Sequence, residues 1–221
     1  MEILFEDNHL LAVNKPAGLG VQGDNTGDKH LLDEAAEYLK KRYNKPGDAF
    51  VGLIHRLDRP VSGVVLLAKT SKALTRMNEQ FKLKQTTKTY HLITQETLTE
   101  NEGTLIHYLG KDAKTHRALT YLKPKTGAKE AILHFHILNS MNNYQLYEVK
   151  LETGRFHQIR AQFAKTGAPI LGDVKYGAKN PLPDRSIALH ARSLIFQHPV
   201  TNETITLAAE YPKVPHWQRF L

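Results

Sequence analysis

A single carboxylate, Asp58, stands between two arginines in His55-Arg56-Leu57-Asp58-Arg59-Pro60-Val61-Ser62-Gly63, directly ahead of the apolar run 64–68. Pro60 and Gly63 interrupt regular structure, so the sequence predicts Asp58 on a turn at the mouth of a strand, a place where a rigid element can display a reactive group. A carboxylate a few ångströms from a guanidinium stays ionised and can act as nucleophile or base near neutral pH. The ordinary alternative for such a stretch is a structural ion pair or turn cap. His134 and His136 would point the same way from a strand and could chelate a metal. No third ligand of suitable spacing accompanies them, so no metal is expected. Gly18-Leu19-Gly20-Val21-Gln22-Gly23 matches the dinucleotide fingerprint literally, yet residues 24–28 continue as loop where a helix must open. Residues 23–30 lack the Gly-Lys-Ser/Thr ending of a phosphate loop and carry acids that would repel phosphate. A nucleotide cofactor is therefore not expected.

Composition narrows the partners. The chain has 221 residues, 41% of them hydrophobic, which is enough for the core of one large domain, and nothing resembling a linker divides it. No run is long enough to span a bilayer, and an acid occupies the N-terminal stretch where a secretory signal needs basic residues. The expected compartment is the cytoplasm. Zero cysteines exclude disulfides, thiolate catalysis and cysteine-ligated metal clusters. A net charge of +8 points to a polyanion. The charge is spread over Lys40-Lys41-Arg42, Lys111 with Lys114 and Arg117, and Lys123 with Lys125 rather than along one amphipathic helix, which favours nucleic acid over a membrane surface.

The elements that must carry these groups follow from periodicity. Strands are expected at 3–6 and 10–13, paired through Glu6-Asp7-Asn8. Leu32, Ala35, Ala36 and Leu39 share one helical face. After the strand at 64–68, Ser71 is expected to cap a helix whose Leu74, Met77 and Phe81 face the core. A strand at 89–94 leads into a polar stretch and then a basic, turn-rich region at 111–127. Ala131, Leu133, Phe135 and Ile137 form the apolar face of another strand, and 145–151 the next. Residues 156–166 suit a short helix with Phe156, Ile159 and Phe163 inward, His157 and Arg160 on a second face, and Gly167 as its C-terminal cap. The fold class is α+β, a mixed α/β arrangement of hairpins with inserted helices.

Read whole, residues 55–63 resemble the signature of the RluA-type pseudouridine synthases, His-Arg-Leu-Asp followed two residues later by Thr-Ser-Gly, with Val61 at the Thr position. Three further segments match in order. Asn14-Lys15-Pro16-Ala17-Gly18 is similar to the end of the family's opening strand pair. Lys88-Thr89-Tyr90 resembles its Lys-x-Tyr motif. Thr153-Gly154-Arg155-Phe156-His157-Gln158-Ile159-Arg160, with Gly172-Asp173 and Tyr176-Gly177 beyond it, resembles its Thr-Gly-Arg-Thr/Ser-His-Gln-Ile/Leu-Arg segment. Phe156 departs from the small hydroxyl residue found there. The matches span residues 3 to about 190.

The resemblance implies the pseudouridine synthase fold: a mostly antiparallel central sheet flanked by helices, with the active cleft across it. It also implies one catalytic domain over residues 1–221, no separate S4-type RNA-binding module, and no cofactor or metal. The implied reaction isomerises uridines of a ribosomal or transfer RNA stem-loop to pseudouridine. Asp58 matches the family's essential aspartate, which attacks the sugar or removes a ribose proton. Tyr90 matches the tyrosine that stacks on the target uracil and handles its C5 proton, and Arg160 the arginine paired with the acid. Arg56 matches the residue that fills the stack vacated by the extruded nucleotide. His55, Arg59, Lys15, Arg155 and His157 are candidates for RNA contacts. Target choice is expected to fall to loops 111–127 and 175–185, in a monomer. Two other readings are a catalytically silent RNA-binding relative and a glycoside hydrolase using paired carboxylates, the latter lacking a convincing second acid.

Overall fold

The computed structural model describes residues 1–23 and 27–220; part of the loop expected at 24–28 lies outside the described residues. The chain forms two compact units, one of Met1–Thr87 with Ala191–Pro212, the other of Lys88–His190 with the C-terminal residues from Lys213. No described helix is long and apolar enough to cross a membrane.

In the first unit, β1 (Glu2–Glu6) and β2 (Leu10–Lys15) pair antiparallel. Their turn is fixed by the Asp7 carboxylate, which accepts from the amides of His9 (2.8 Å) and Leu10 (2.6 Å). β2 pairs in turn with β4 (Ser62–Ala68), and the strand order continues to β10 (Leu189–Gln197). Two-residue β3 (Gly52–Leu53) pairs with β4, and β11 (Thr204–Ala208) with β10. Every residue of β4 is buried, as its unbroken apolar run requires of a strand covered on both faces. Helix α1 (Leu31–Arg42) opens on a capping box between His30 and Asp33 and buries Leu31, Ala35 and Leu39, so Leu32 and Ala36 lie at the margin of the expected face. Helix α2 (Ser71–Lys82) is capped one residue earlier than expected, by Thr70, whose hydroxyl accepts from the Ala73 amide at 3.2 Å. Either hydroxyl could serve as cap; the extended backbone at Thr70 decides it.

The second unit is an antiparallel sheet in the order β5-β9-β8-β6-β7, formed by β5 (Thr87–Thr94), β6 (Glu102–Asp112), β7 (Arg117–Tyr121), β8 (Lys129–Met141) and β9 (Tyr144–Leu151). The hairpin β6–β7 replaces the expected polar stretch and part of the expected basic loop. Its outer face is solvated and its inner residues include Ala118 and Thr120, so no strong apolar alternation announced it. Helix α3 (Gln158–Lys165) sets Phe163 edge-on to Tyr147 and Phe135, with ring centroids 5.4 and 6.1 Å apart. It begins two residues later than expected because His157 sits in the left-handed region (φ 51°). It ends as expected: Gly167 (φ +86°) donates to the Ala164 carbonyl and Ala168 to that of Phe163, a Schellman closure. A 3-10 turn at Val174–Tyr176 and α4 (Pro215–Gln218) complete the elements.

Glu6 ties the first unit together. Its carboxylate accepts from Tyr38 (2.8 Å), Tyr43 (2.7 Å) and Lys69 (2.9 Å), with Arg42 at 3.2 Å. Burial alone would raise its pKa, but these donors and the Lys69 charge win and hold it at about 2. Its contribution is therefore complete above the unfolded value of 4.5 and lost as pH falls through about 2. Glu6→Gln is expected to cost about 2 kcal/mol in denaturant unfolding at neutral pH. It should also flatten the stability loss between those two pH values.

Candidate active site

Asp58 emerges half-buried from the segment after β3, one residue before the Arg59-Pro60 turn. The Val61 amide closes that turn onto the Asp58 carbonyl at 3.0 Å. Three features hold it. Gly63 runs so close to β10 that a Cβ there would lie 2.3 Å from the Ala191 carbonyl oxygen, and its φ is +113°, so only glycine fits. Val61 is buried, and an apolar side chain suits the position where the family has threonine. The third hold is Lys15, whose ammonium donates to the carbonyls of Pro16 (2.8 Å), Leu19 (2.8 Å) and Arg59 (3.3 Å), while the Gly18 amide donates to the same Arg59 carbonyl at 2.8 Å.

Lys15 has no exposed surface. Burial draws its pKa down from 10.5 to about 7, against the opposing pull of the Asp58 charge, with Arg59 adding to the lowering. A side chain so enclosed, with its protons already given to three carbonyls, meets no phosphate; the expected RNA contact is corrected to a clamp on the loop that carries Asp58. His55, partly buried, also has a holding role. Its Nε2 accepts from the Leu66 amide at 3.0 Å and its ring stacks on Phe81 at 5.1 Å, fastening the motif to β4 and α2. Arg56 is exposed. Arg59 is partly exposed and pairs with Asp28 at 2.9 Å.

The second unit carries Tyr90 and Arg160. Tyr90 is half-buried on β5 opposite Val149, so strand alternation puts it on the sheet face that carries Tyr147 and α3. Arg160, in the first turn of α3, forms a buried fork with Asp173: Nε to Oδ2 at 2.7 Å and Nη2 to Oδ1 at 2.9 Å. Its guanidinium also lies 5.0 Å from the Tyr176 ring centroid. His157 reaches the same tyrosine, Nδ1 to hydroxyl at 2.8 Å. His157 and Arg160, expected on a shared face, thus converge on Tyr176. In the sequence Asp173 is an acid beside a glycine, which carries no signal that it pairs with an arginine thirteen residues earlier.

The loop before α3 locks itself. Gln158 Oε1 accepts from the Thr153 hydroxyl (2.8 Å) and the Arg155 amide (2.9 Å), its Nε2 donates to the Ile132 carbonyl (3.1 Å), and Thr153 Oγ1 accepts from the Ile132 amide (2.9 Å). Exposed Arg155 donates from Nε to the Glu130 carbonyl at 2.8 Å. Phe156 does not enter the helix; its ring stacks on His157 at 3.7 Å. Among the described residues no group of three acids, histidines or cysteines could hold a metal, and His134 instead bonds Glu152 (2.6 Å) and Thr104 (2.8 Å).

Two outcomes follow from the buried charges. Below about pH 7 Lys15 is the ammonium that donates three times; above it the folded protein releases that proton while the unfolded chain keeps it to about 10.5, so burial makes stability rise with pH across that window. Lys15→Met should abolish that rise in denaturant unfolding series at stepped pH. Asp173→Asn removes the carboxylate from the buried Arg160 fork and is expected to cost about 3 kcal/mol or more in thermal unfolding.

Comparison with known proteins identifies the family. The sequence pattern of the family described as RNA pseudouridylate synthase matches residues 9–165. An uncharacterized RNA pseudouridine synthase of Bacillus subtilis is 35% identical over 96% of this chain and 69% of its own length. The ribosomal large subunit pseudouridine synthase C of Rickettsia prowazekii is 35% identical over 95% of this chain and 68% of its own. The solved structure of human RNA pseudouridylate synthase domain containing 4 superposes with a TM-score of 0.80 at 26% identity, covering 96% of this chain and 89% of that one. The chain belongs to the RNA pseudouridylate synthase family, is of the RluA type, and is an isomerase with the pseudouridine synthase fold.

Proposed function

We propose that the chain isomerises specific uridines in a ribosomal or transfer RNA stem-loop, with Asp58 as its essential acid. The reaction breaks the bond from C1′ to N1, turns the uracil, forms the bond from C1′ to C5 and releases the C5 proton. It involves no net redox change and no activated group, so the chemistry calls for no cofactor or metal. Asp58 acts at the ribose, by attack on C1′ or by removal of a ribose proton. Tyr90 stacks on the uracil and handles the C5 proton, Arg160 steadies the acid, and exposed Arg56 fills the gap left when the nucleotide is extruded. The observation that carries this reading is the placement of Asp58 on a turn clamped by Lys15, the Gly18 amide and the close approach at Gly63. Such rigidity suits a group that must meet one carbon atom. The bound, aromatic-backed fork of Arg160 supports a fixed guanidinium rather than a mobile surface arginine.

Arg59, Arg155 and His157 are RNA contacts in this reading. The large-subunit name of the rickettsial relative favours ribosomal RNA as substrate. The family pattern runs through residues of both compact units, which supports one catalytic domain. The enzyme works as a cytoplasmic monomer.

Tritium release from bulk cellular RNA labelled at uridine C5 tests the reading, because isomerisation expels that hydrogen. The wild-type chain should release tritium, and Asp58→Asn should lower the rate by roughly a thousandfold or more while RNA binding persists. Binding without release by the wild type would replace this reading with that of a silent RNA-binding relative.

A further inference from the structure

Phe156 stands where the motif that this segment resembles has a small hydroxyl residue, and its surroundings give it a use. The ring is half-buried, packs on the cluster of Leu109, Ala118, Ala131, Ala161 and Tyr176, and stacks on His157 with 22° between planes. Lys111 Nζ stands 5.2 Å from the Phe156 centroid, and the Arg117 guanidinium 5.2 Å from that of Tyr176. Lys111, Lys114 and Arg117 are all exposed at the end of the β6–β7 hairpin. Among the described residues none of these three is in an ion pair. The one carboxylate within the tip, Asp112, is taken up by the Thr115 hydroxyl (2.6 Å) and the Lys114 amide (2.9 Å). A groove lined by Asp112, Arg117, Thr120, Ala164 and exposed Lys165 continues from Tyr176 between β7 and α3. Arg160 lies on the same helix, one turn from His157.

Three exposed cations against one carboxylate, around a partly exposed pair of stacked rings, match the two needs of unpaired RNA, phosphate neutralisation and a surface for a splayed base. A peptide partner would need acids to match the cations but would leave the stacked rings without a planar counterpart. We propose that the Phe156–His157 stack is the seat of an unpaired nucleotide flanking the target uridine. Its base takes the place over Phe156 where the Lys111 ammonium now stands, and Lys111 moves with Lys114 and Arg117 onto the neighbouring phosphates. This rests on the reading that the chain acts on RNA. The ring in place of a hydroxyl makes the seat a specificity element of this chain, because a threonine or serine there offers no stacking surface.

The test measures KM and kcat for tritium release from bulk RNA, and in parallel the affinity for end-labelled fragments of ribosomal RNA over a salt series. Phe156→Ala and Phe156→Thr should each raise KM and Kd roughly tenfold with kcat within about twofold. Phe156→Tyr should restore most of the affinity. Lys111→Ala with Lys114→Ala should lower the slope of log affinity against log salt by about 1.4. Lys82→Ala with Lys84→Ala, at the far end of α2, controls for loss of net charge and should leave that slope near its wild-type value. If Phe156→Thr binds like the wild type, the ring is not used and the proposal falls. A drop in kcat at unchanged Kd would make Phe156 a support for α3 instead and overturn it equally. Absence of tritium release from the wild type would fail the catalytic reading alone, since the affinity series would still confirm or refute the seat.

Discussion

One buried ammonium organises the loop on which the proposed chemistry depends. Lys15 leaves the end of β2 with no exposed surface and reaches the carbonyls of Pro16, Leu19 and Arg59. It thereby joins the loop after β2 to the turn that bears Asp58. Burying a lysine is costly, and its depressed pKa reports that cost. The cost is met by hydrogen bonds to three carbonyls and by the charge of Asp58. Around this clamp the other constraints make sense. Gly63 must be glycine because β4 lies against Ala191 with no room for a Cβ. His55 must present an unprotonated Nε2 because the Leu66 amide requires an acceptor.

The second unit solves a similar problem with a different device. Its loop at 153–157 is fixed by the side-chain amide of Gln158, which accepts twice and donates once, and by Thr153, which shares that network. The loop therefore enters α3 at a set angle, and His157 is held in a left-handed conformation that a histidine tolerates when its ring is bonded. Arg160 is then fixed between Asp173 and Tyr176, its charge satisfied inside the protein rather than dispersed in water. Both units thus place one charged group at or just after a short irregular segment and immobilise it with buried polar contacts. The aromatic trio Phe135, Tyr147 and Phe163 supplies the apolar backing for α3.

Much of the fold was legible in the chain. The buried run 64–68 specified a strand covered on both faces, the Leu74-Met77-Phe81 stripe an amphipathic helix, and Gly167 a helix end. What escaped was the hairpin β6–β7. It lies at the edge of its sheet and leaves Ile106, Leu119 and the basic tip in solvent, so the period-two signal that marks a half-buried strand was diluted. The start of α3 was missed by two residues because a positive φ at His157 cannot be read from residue type.

The sequence by itself determined an acid between arginines ahead of a buried strand, while a tyrosine on a second strand and an arginine on a short helix stand out only through the resemblance to the family. It also determined the positive charge that suits a polyanion. These depend on local spacing and composition, which the chain displays directly. Only the tertiary structure decided which cations are buried and which are exposed. Lys15 and Lys111 are the same residue type in loop-flanking positions, yet one donates to three carbonyls inside the protein and the other stands over an aromatic ring at the surface. The partner of Arg160, the acceptor role of His55 and the stacking of Phe156 were decided in the same way. Each depends on residues distant in sequence or on a single backbone dihedral, and burial, the quantity that sets the energy of a charge, belongs to the packed molecule rather than to any segment of it.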